Sequence, residues 1–285
     1  MKHISPLRYP GGKSAMADLL SRIRYKNSLG DRAIAEPFAG GAGASLALLC
    51  REEAPEIHIN DADPAIYALW WSLKERPEEF ASLLRQTRVS MAEWRRQRDT
   101  YRSNGRMSRL RRGFSAFYLN RCNRSGIIKD GGPIGGISQT GEWLIDARYN
   151  KTDLLARCRT IADFRDRITV SHQDGIELIQ KLTGKGTFLF IDPPYFAKGN
   201  ELYLNALDET YHERLATQLK AMDHEAWVLT YDDCPDIRRL YRGWATIRPF
   251  GLRYAASVRR SGREILIVPK HVKLPSAQRS DAITW

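Results

Sequence analysis

The stretch Thr187-Phe188-Leu189-Phe190-Ile191-Asp192-Pro193-Pro194-Tyr195 ends an apolar run on a carboxylate, two prolines and an aromatic ring. The run reads as a buried strand, whose end brings the carboxylate, a rigid carbonyl and an aromatic face to one point. Consecutive prolines fix φ and remove two backbone donors, so the Pro193 carbonyl points where the strand end places it. Such a set suits a flat ring carrying an amino group: Asp192 accepts one N–H, the Pro193 carbonyl accepts the other, and Tyr195 stacks on the ring. A strand end with a Pro-Pro turn and Asp192 as a local cap is the plainer reading of the same residues.

A second segment, Ala35-Glu36-Pro37-Phe38-Ala39-Gly40-Gly41-Ala42-Gly43-Ala44-Ser45-Leu46, reads as a short strand, a glycine-rich turn and a small-residue helix. Glycines allow close backbone approach to a ligand, and the helix N-terminus offers free N–H groups. The spacing is not the dinucleotide fingerprint, because the third glycine of G-x-G-x-x-G is missing from either start, Gly41 or Gly43. Gly11-Gly12-Lys13-Ser14 is not a P-loop either, since Leu7 stands where its first glycine belongs.

Outward from these two segments, short apolar strands alternate with helical stretches. The strands are expected over Arg32 to Phe38, Ile57 to Asp61, Ile168 to Asp174, Thr187 to Asp192 and Ala226 to Asp232. This rhythm predicts an α/β fold with a mostly parallel sheet and helices on both faces. Trp244 to Phe250 and Glu264 to Pro269 read as two late antiparallel neighbours. Phe38, Asp61, Asp174 and Asp192 all fall at C-terminal strand ends, where open α/β sheets bind ligands.

Between about residues 70 and 160 the strand rhythm stops and helical periodicity takes over, with Leu110, Phe114, Phe117 and Tyr118 at helical spacing. Lys129 to Gly136 is too glycine-rich for a helix and reads as a hairpin or loop. The expected division is a core of residues 1–70 and 161–270, an inserted helical subdomain of 71–160, and a polar tail of 271–285, disordered apart from Trp285. The net charge of +12 concentrates in this insertion: residues 85–129 hold 13 Arg or Lys against Glu93 and Asp99. A localised excess of +11 in an otherwise balanced chain points to phosphate contact, against the alternative of a solvated basic face.

A chain of 285 residues with 42% hydrophobic residues is large enough for one α/β domain with an insertion. No segment approaches the apolar length of a membrane span, and residues 1–8 carry no secretory h-region, so a cytoplasmic location is expected. Cys50, Cys122, Cys158 and Cys234 are widely separated, which predicts reduced thiols and no metal site.

Taken together, Arg8-Tyr9-Pro10-Gly11-Gly12-Lys13, the Glu36 to Gly43 segment and Asp192-Pro193-Pro194-Tyr195 resemble, in family order over residues 5–270, the Dam-like DNA adenine methyltransferases. The resemblance implies a Rossmann-like methyltransferase fold with an inserted target-recognition subdomain. It also implies methyl transfer from S-adenosyl-L-methionine to the 6-amino group of a flipped adenine in double-stranded DNA, by a monomer or weak dimer. By similarity, Asp192, Pro193 and Tyr195 are catalytic. Glu36, Phe38, Gly40, Gly41, Gly43 and also Asp192 line the cofactor, with Tyr9 and Lys13 closing over it. Asp61, or its neighbour Asp63, takes the ribose, and Asp174 the cofactor's adenine. Each of Asp61 and Asp174 also reads as a helix cap.

Leu119-Asn120-Arg121 followed by Gly126 is similar to a family segment that sits at the DNA, which makes Asn120, Arg121 and Arg124 candidate DNA contacts. Asn123 to Ile127 departs from the best-known members, so their GATC target is not implied. Restriction-modification, phage and housekeeping roles all remain open. The alternatives are a methyltransferase for RNA or another amine, and a catalytically silent DNA-binding homologue. The aspartate at the head of Asp192-Pro193-Pro194-Tyr195 argues against cytosine and glutamine as acceptors, since related enzymes of those classes more often carry serine or asparagine there.

Overall fold

A computed structural model describes residues 4–8, 13–103, 107–196, 208–252, 264–276 and 283–284. Its sheet comprises β1 (Ile34–Glu36), β2 (Ile57–Asn60), β3 (Ile168–Ser171), β4 (Phe188–Ile191), β5 (Trp227–Asp232), β6 (Ala245–Leu252), β7 (Glu264–Pro269) and β8 (Ile283–Thr284). The spatial order is β3-β2-β1-β4-β5-β7-β6-β8. Strands β1 to β5 pair in parallel. The pairs β5–β7, β6–β7 and β6–β8 are antiparallel. All seven predicted strands are present: the five parallel ones are shorter than expected, β6 runs on to Leu252, and β7 has the expected bounds. β1 stops at Glu36 because Pro37 has no N–H for the ladder, and β3 stops at Ser171 before the turn that leads to Asp174.

The unbroken apolar runs follow from burial on both faces of the sheet. Phe188 and Phe190 of β4, with Val228 of β5 and Leu266 of β7, join one core. The intervening Leu189, Ile191, Leu229 and Ile265 join a second core on the opposite face. The first face is covered by α1 (Ala17–Lys26) and α2 (Gly43–Cys50). Five helices lie between β2 and β3: α3 (Pro64–Glu75), α4 (Pro77–Gln86), α5 (Met91–Arg102), α6 (Arg109–Cys122) and α7 (Lys151–Asp163). The second face carries α8 (Gly175–Leu182), α9 (Glu209–Ala221) and α10 (Pro235–Tyr241).

Side-chain caps fix several of these helix starts. Asp63 accepts from the N–H groups of Ala65 and Ile66 with Pro64 at the first position of α3, and Ser90, Ser108 and Asn150 cap α5, α6 and α7. Helices α3 and α6 cross so closely that a Cβ at Gly113 would lie 2.5 Å from the Ala68 carbonyl oxygen. The helical block thus begins at Pro64, earlier than the sequence rhythm indicates, and packs onto the sheet through α3.

Residues 127–150 are non-helical, with a single Asn123–Pro133 bridge and left-handed Gly135 and Gly136. The expectation of a disordered tail does not hold for its described part. Val272 is buried in the core, Lys273 exchanges two hydrogen bonds with the Asn27 side chain, and β8 extends the sheet. Among the described residues no helix is long and apolar enough to cross a membrane.

Candidate active site

The strand order reverses direction at β1 and β4, which makes the crevice beyond their C-terminal ends the place where such a sheet opens to a ligand. Glu36 closes β1 and Asp192 follows β4 directly, so the two sequence segments flank this crevice.

Glu36 is 4% exposed. Its Oε1 accepts from the Ser45 N–H at 2.8 Å and the Ser45 Oγ–H at 2.5 Å, joining the end of β1 to the first turn of α2. Burial pushes its carboxyl up to about 7, the Ser45 hydrogen bonds oppose that rise, and the negative charge of Asp192 adds to it. Asp192 is held from the other side, where Thr230 Oγ on β5 donates to its Oδ1 at 2.5 Å. Pro193 is buried and Tyr195 partly exposed, with the Tyr195 ring 6.5 Å from that of Tyr231 at 47°.

The glycine turn is fixed on both sides. Gly40, at φ 47°, donates its N–H to Asp61 Oδ2 at 2.8 Å, and its carbonyl accepts from the Trp70 indole N–H at 2.9 Å. Buried Asn60 adds a third tie, donating to the carbonyls of Pro37 and Gln173. The turn ends on Ala42, left-handed at φ 45° and ψ 31°, and α2 then starts with no side-chain cap. For a residue with a Cβ that conformation costs roughly 1–2 kcal/mol, and such strain concentrates at ligand sites. The first turn of α2 therefore presents N–H groups beside a turn that cannot relax.

Asp61 and Asp63 have separate tasks. Asp63 caps α3, whereas Asp61 holds the Gly40 and Asp63 amides. Burial, then the charge of Asp63, raise the Asp61 carboxyl to about 7 against those two hydrogen bonds. Asp174 caps α8 through its Oδ1, and its Oδ2 accepts from the Tyr211 hydroxyl at 2.8 Å. Phe38 meets Tyr211 edge-on, with centroids 6.4 Å apart. The tip of its ring also lies against Gly175, where a Cβ would come within 2.3 Å of Phe38 Cζ.

Glu36, Phe38, Gly40, Asp61, Asp174 and Asp192 are thus linked around one strand-end crevice. Gly41 and Gly43 continue the same turn into α2. Tyr9 lies outside the described residues. Lys13 opens a 3₁₀ turn, Lys13–Met16, and its side chain is likewise outside them. Sequence reasoning missed Ser45, Asn60, Trp70, Gly175, Tyr211 and Thr230. Of these, Ser45 lay in view as the ninth residue beyond Glu36, at a helix start, whereas the other five are brought in by strand pairing and helix packing.

The three candidate DNA contacts are divided by the fold. Arg124 is exposed. Asn120 and Arg121 are buried, 0% and 8% exposed, on the inward face of α6. Asn120 bonds to the Arg8 backbone, and Arg121 Nε donates to the Arg148 carbonyl. Burial lowers the Arg121 guanidinium to about 10, with Arg157 and Arg8 adding to the effect. Their geometry is that of internal ties, at variance with the direct DNA contact expected of them. Exposed arginines on the same block include Arg95, Arg102, Arg111 and Arg148. Arg109 lies 4.5 Å from the centre of the Trp71 ring. Among the described residues no three His, Cys, Asp or Glu side chains cluster to hold a metal.

Residues 9–255 match the family model of the D12 class N6 adenine-specific DNA methyltransferases. No curated protein matches the sequence. Among solved structures, the rRNA methyltransferase AviRa from Streptomyces viridochromogenes is similar at 13% identity and a TM-score of 0.32, over 87% of this chain and 83% of that one.

Proposed function

The chain belongs to the D12 class N6 adenine-specific DNA methyltransferases, enzymes that methylate the 6-amino group of adenine in DNA. From that premise we propose that its methyl donor is S-adenosyl-L-methionine and that Asp192 and the Pro193 carbonyl receive the target amine. The observation that carries this reading is the position of Asp192, held by Thr230 at the end of β4 and facing Glu36 across the β1–β4 crevice.

The residues present fit the proposed cofactor. The pinned glycine turn and the uncapped start of α2 offer close backbone approach and N–H groups to its methionine end, beside Phe38 and Glu36. A carboxylate has about four acceptor sites. Asp61 uses two of them on Gly40 and Asp63, leaving capacity for the two ribose hydroxyls. Asp174 uses three, on Ile176, Glu177 and Tyr211, leaving one for an adenine amine. When bound, S-adenosylmethionine supplies an electrophilic methyl group on a positively charged sulfur.

The chain's own contribution is to position and activate the amine. In adenine the N6 lone pair is delocalised into the ring. Accepting one N–H at Asp192 and the other at the Pro193 carbonyl favours a pyramidal nitrogen whose lone pair is free for in-line attack. On taking the methyl group N6 would release one proton, which would pass to the Asp192 carboxylate that accepts its N–H. An adenine inside a duplex must first leave the stack, at a cost of a few kcal/mol. Stacking on Tyr195, worth about 1–3 kcal/mol, offsets much of it. The helical block of residues 71–160 is proposed as the target-recognition region, supported by its charge excess and by exposed Arg124.

Nucleoside mass spectrometry on unmethylated DNA incubated with the protein and S-adenosylmethionine tests the reaction. Enzyme-dependent 6-methyladenine is the expected product. Its absence with cofactor binding intact would move the assignment to RNA or another amine.

A further inference from the structure

We propose that His212 is a positioning residue for the target base: together with Tyr231 it sets the Tyr195 ring on which that base stacks. The inference rests on the methyltransferase reading above. Strand β4 ends at Ile191, and Pro193 and Pro194 have no N–H to offer a ladder. Strand pairing therefore stops short of Tyr195, and side-chain packing takes over.

That packing comes from β5. Thr230 and Tyr231 are consecutive on this strand and point to opposite faces of the sheet. Thr230 holds Asp192, whereas Tyr231 belongs to the second core, with its ring 6.5 Å from that of Tyr195. Both ends of residues 192–195 are thus addressed by neighbouring side chains of one strand.

Helix α9 in turn holds Tyr231. His212 and Tyr231 are both fully buried, and the Tyr231 hydroxyl shares a hydrogen bond with His212 Nδ1 at 2.6 Å. Burial pushes that hydroxyl well above its ordinary value, so it keeps its proton. The His212 ring meets Tyr231 edge-on with centroids 5.5 Å apart, and meets Phe196, the residue after Tyr195, edge-on at 5.3 Å. The imidazole therefore sits between the strand residue that backs Tyr195 and the residue that follows it. A satisfied buried bond of this kind fixes the side chains that make it.

The preceding residue of α9 serves the other half of the site. Tyr211 donates to Asp174 and meets Phe38 edge-on, and both of these are proposed cofactor residues. Tyr211 thus faces the cofactor side and His212 the base side. Loss of the His212–Tyr231 bond should be felt in the use of DNA and not in cofactor affinity.

A double-mutant cycle tests this, read as kcat/KM for methyl transfer to unmethylated DNA, with S-adenosylhomocysteine affinity measured by calorimetry on the same preparations. Tyr231→Phe keeps the ring and removes the hydroxyl. It should lower kcat/KM by about 5- to 20-fold alone but by less than about twofold in a Tyr195→Ala background, with cofactor-analogue affinity within about twofold throughout. His212→Asn, whose amide places a hydrogen-bonding atom near the position of Nδ1, should retain most of the wild-type rate. An equal loss in both backgrounds, an unchanged kcat/KM in Tyr231→Phe, or a parallel loss of S-adenosylhomocysteine affinity overturns the proposal. Should Tyr195→Ala be too slow to measure, His212→Asn decides: a rate no better than that of Tyr231→Phe overturns it. Absence of 6-methyladenine from wild-type reactions would instead overturn the methyltransferase reading, and this proposal with it, whereas an additive cycle in an active wild type overturns the positioning role alone.

Discussion

Thr230 donates its hydroxyl to Asp192 at 2.5 Å, so the carboxylate at the end of β4 is aimed from the neighbouring strand β5. A hydrogen bond to a charged group contributes about 1.5–3 kcal/mol. Thr230→Val keeps the shape and removes that donor. It should lower kcat roughly 10- to 100-fold while leaving cofactor affinity near wild type. Steady-state kinetics beside cofactor titration checks this, and an unchanged kcat would detach Thr230 from the aim of Asp192.

Gly175 matters because Phe38 covers it. Gly175→Ala places a methyl group where the Phe38 ring lies, and overpacking of this kind costs about 1–3 kcal/mol. The variant should melt lower and bind cofactor more weakly, and adding Phe38→Leu should restore the melting temperature but not the affinity. Recovery of both by the double variant would show that Phe38 does nothing for the cofactor.

Glu36 gives a pH signature. Its carboxyl is raised to about 7 in the folded protein, chiefly by burial, and sits near 4.3 in an unfolded chain. The folded state therefore holds a proton that the unfolded state releases. The stability this contributes is full below about pH 4.3 and is lost as pH rises through about 7. Glu36→Gln cannot lose it, so the wild-type melting temperature should fall relative to the variant between those limits. Asp61, raised in the same direction, is common to both proteins and cancels. Parallel curves of melting temperature against pH would rule out the raised carboxyl.

The division between Arg124 and Asn120 is open to a salt titration. Exposed Arg124 in contact with phosphate should, when changed to Ala, lower the slope of log affinity against log salt by about one. Buried Asn120 carries no charge, so Asn120→Ala should leave that slope as it is. The reverse pattern would return Asn120 to the interface and remove Arg124 from it.

The sheet was legible because its central strands are buried on both faces and so read as apolar runs, as Phe188 to Ile191 and Trp227 to Tyr231 do. The chemistry was legible for a related reason: Glu36, Asp61 and Asp192 stand at or directly after strand ends and Asp174 caps the helix that follows β3, and the parallel register brings these positions to one side. What holds them was not legible. Thr230 is 38 residues from Asp192, and Trp70 is 30 from Gly40. Neither residue type announces such a partner, because strand pairing and helix packing select it. Asn120 and Arg121 misled for a different reason. Polar side chains in a basic helix read as solvated, yet the helical phase of α6 turns these two inward onto the backbone of residues 6–8.

The central claim is that Asp192 activates the amine and does not serve chiefly to bind cofactor. Single-turnover methyl transfer to unmethylated DNA by Asp192→Ala, with S-adenosylhomocysteine affinity measured on the same preparation, tests it most directly. The rate should fall by on the order of 10²–10³-fold or more while affinity stays within about tenfold. A rate within tenfold of the wild type, or a loss explained wholly by weakened cofactor binding, would contradict the account.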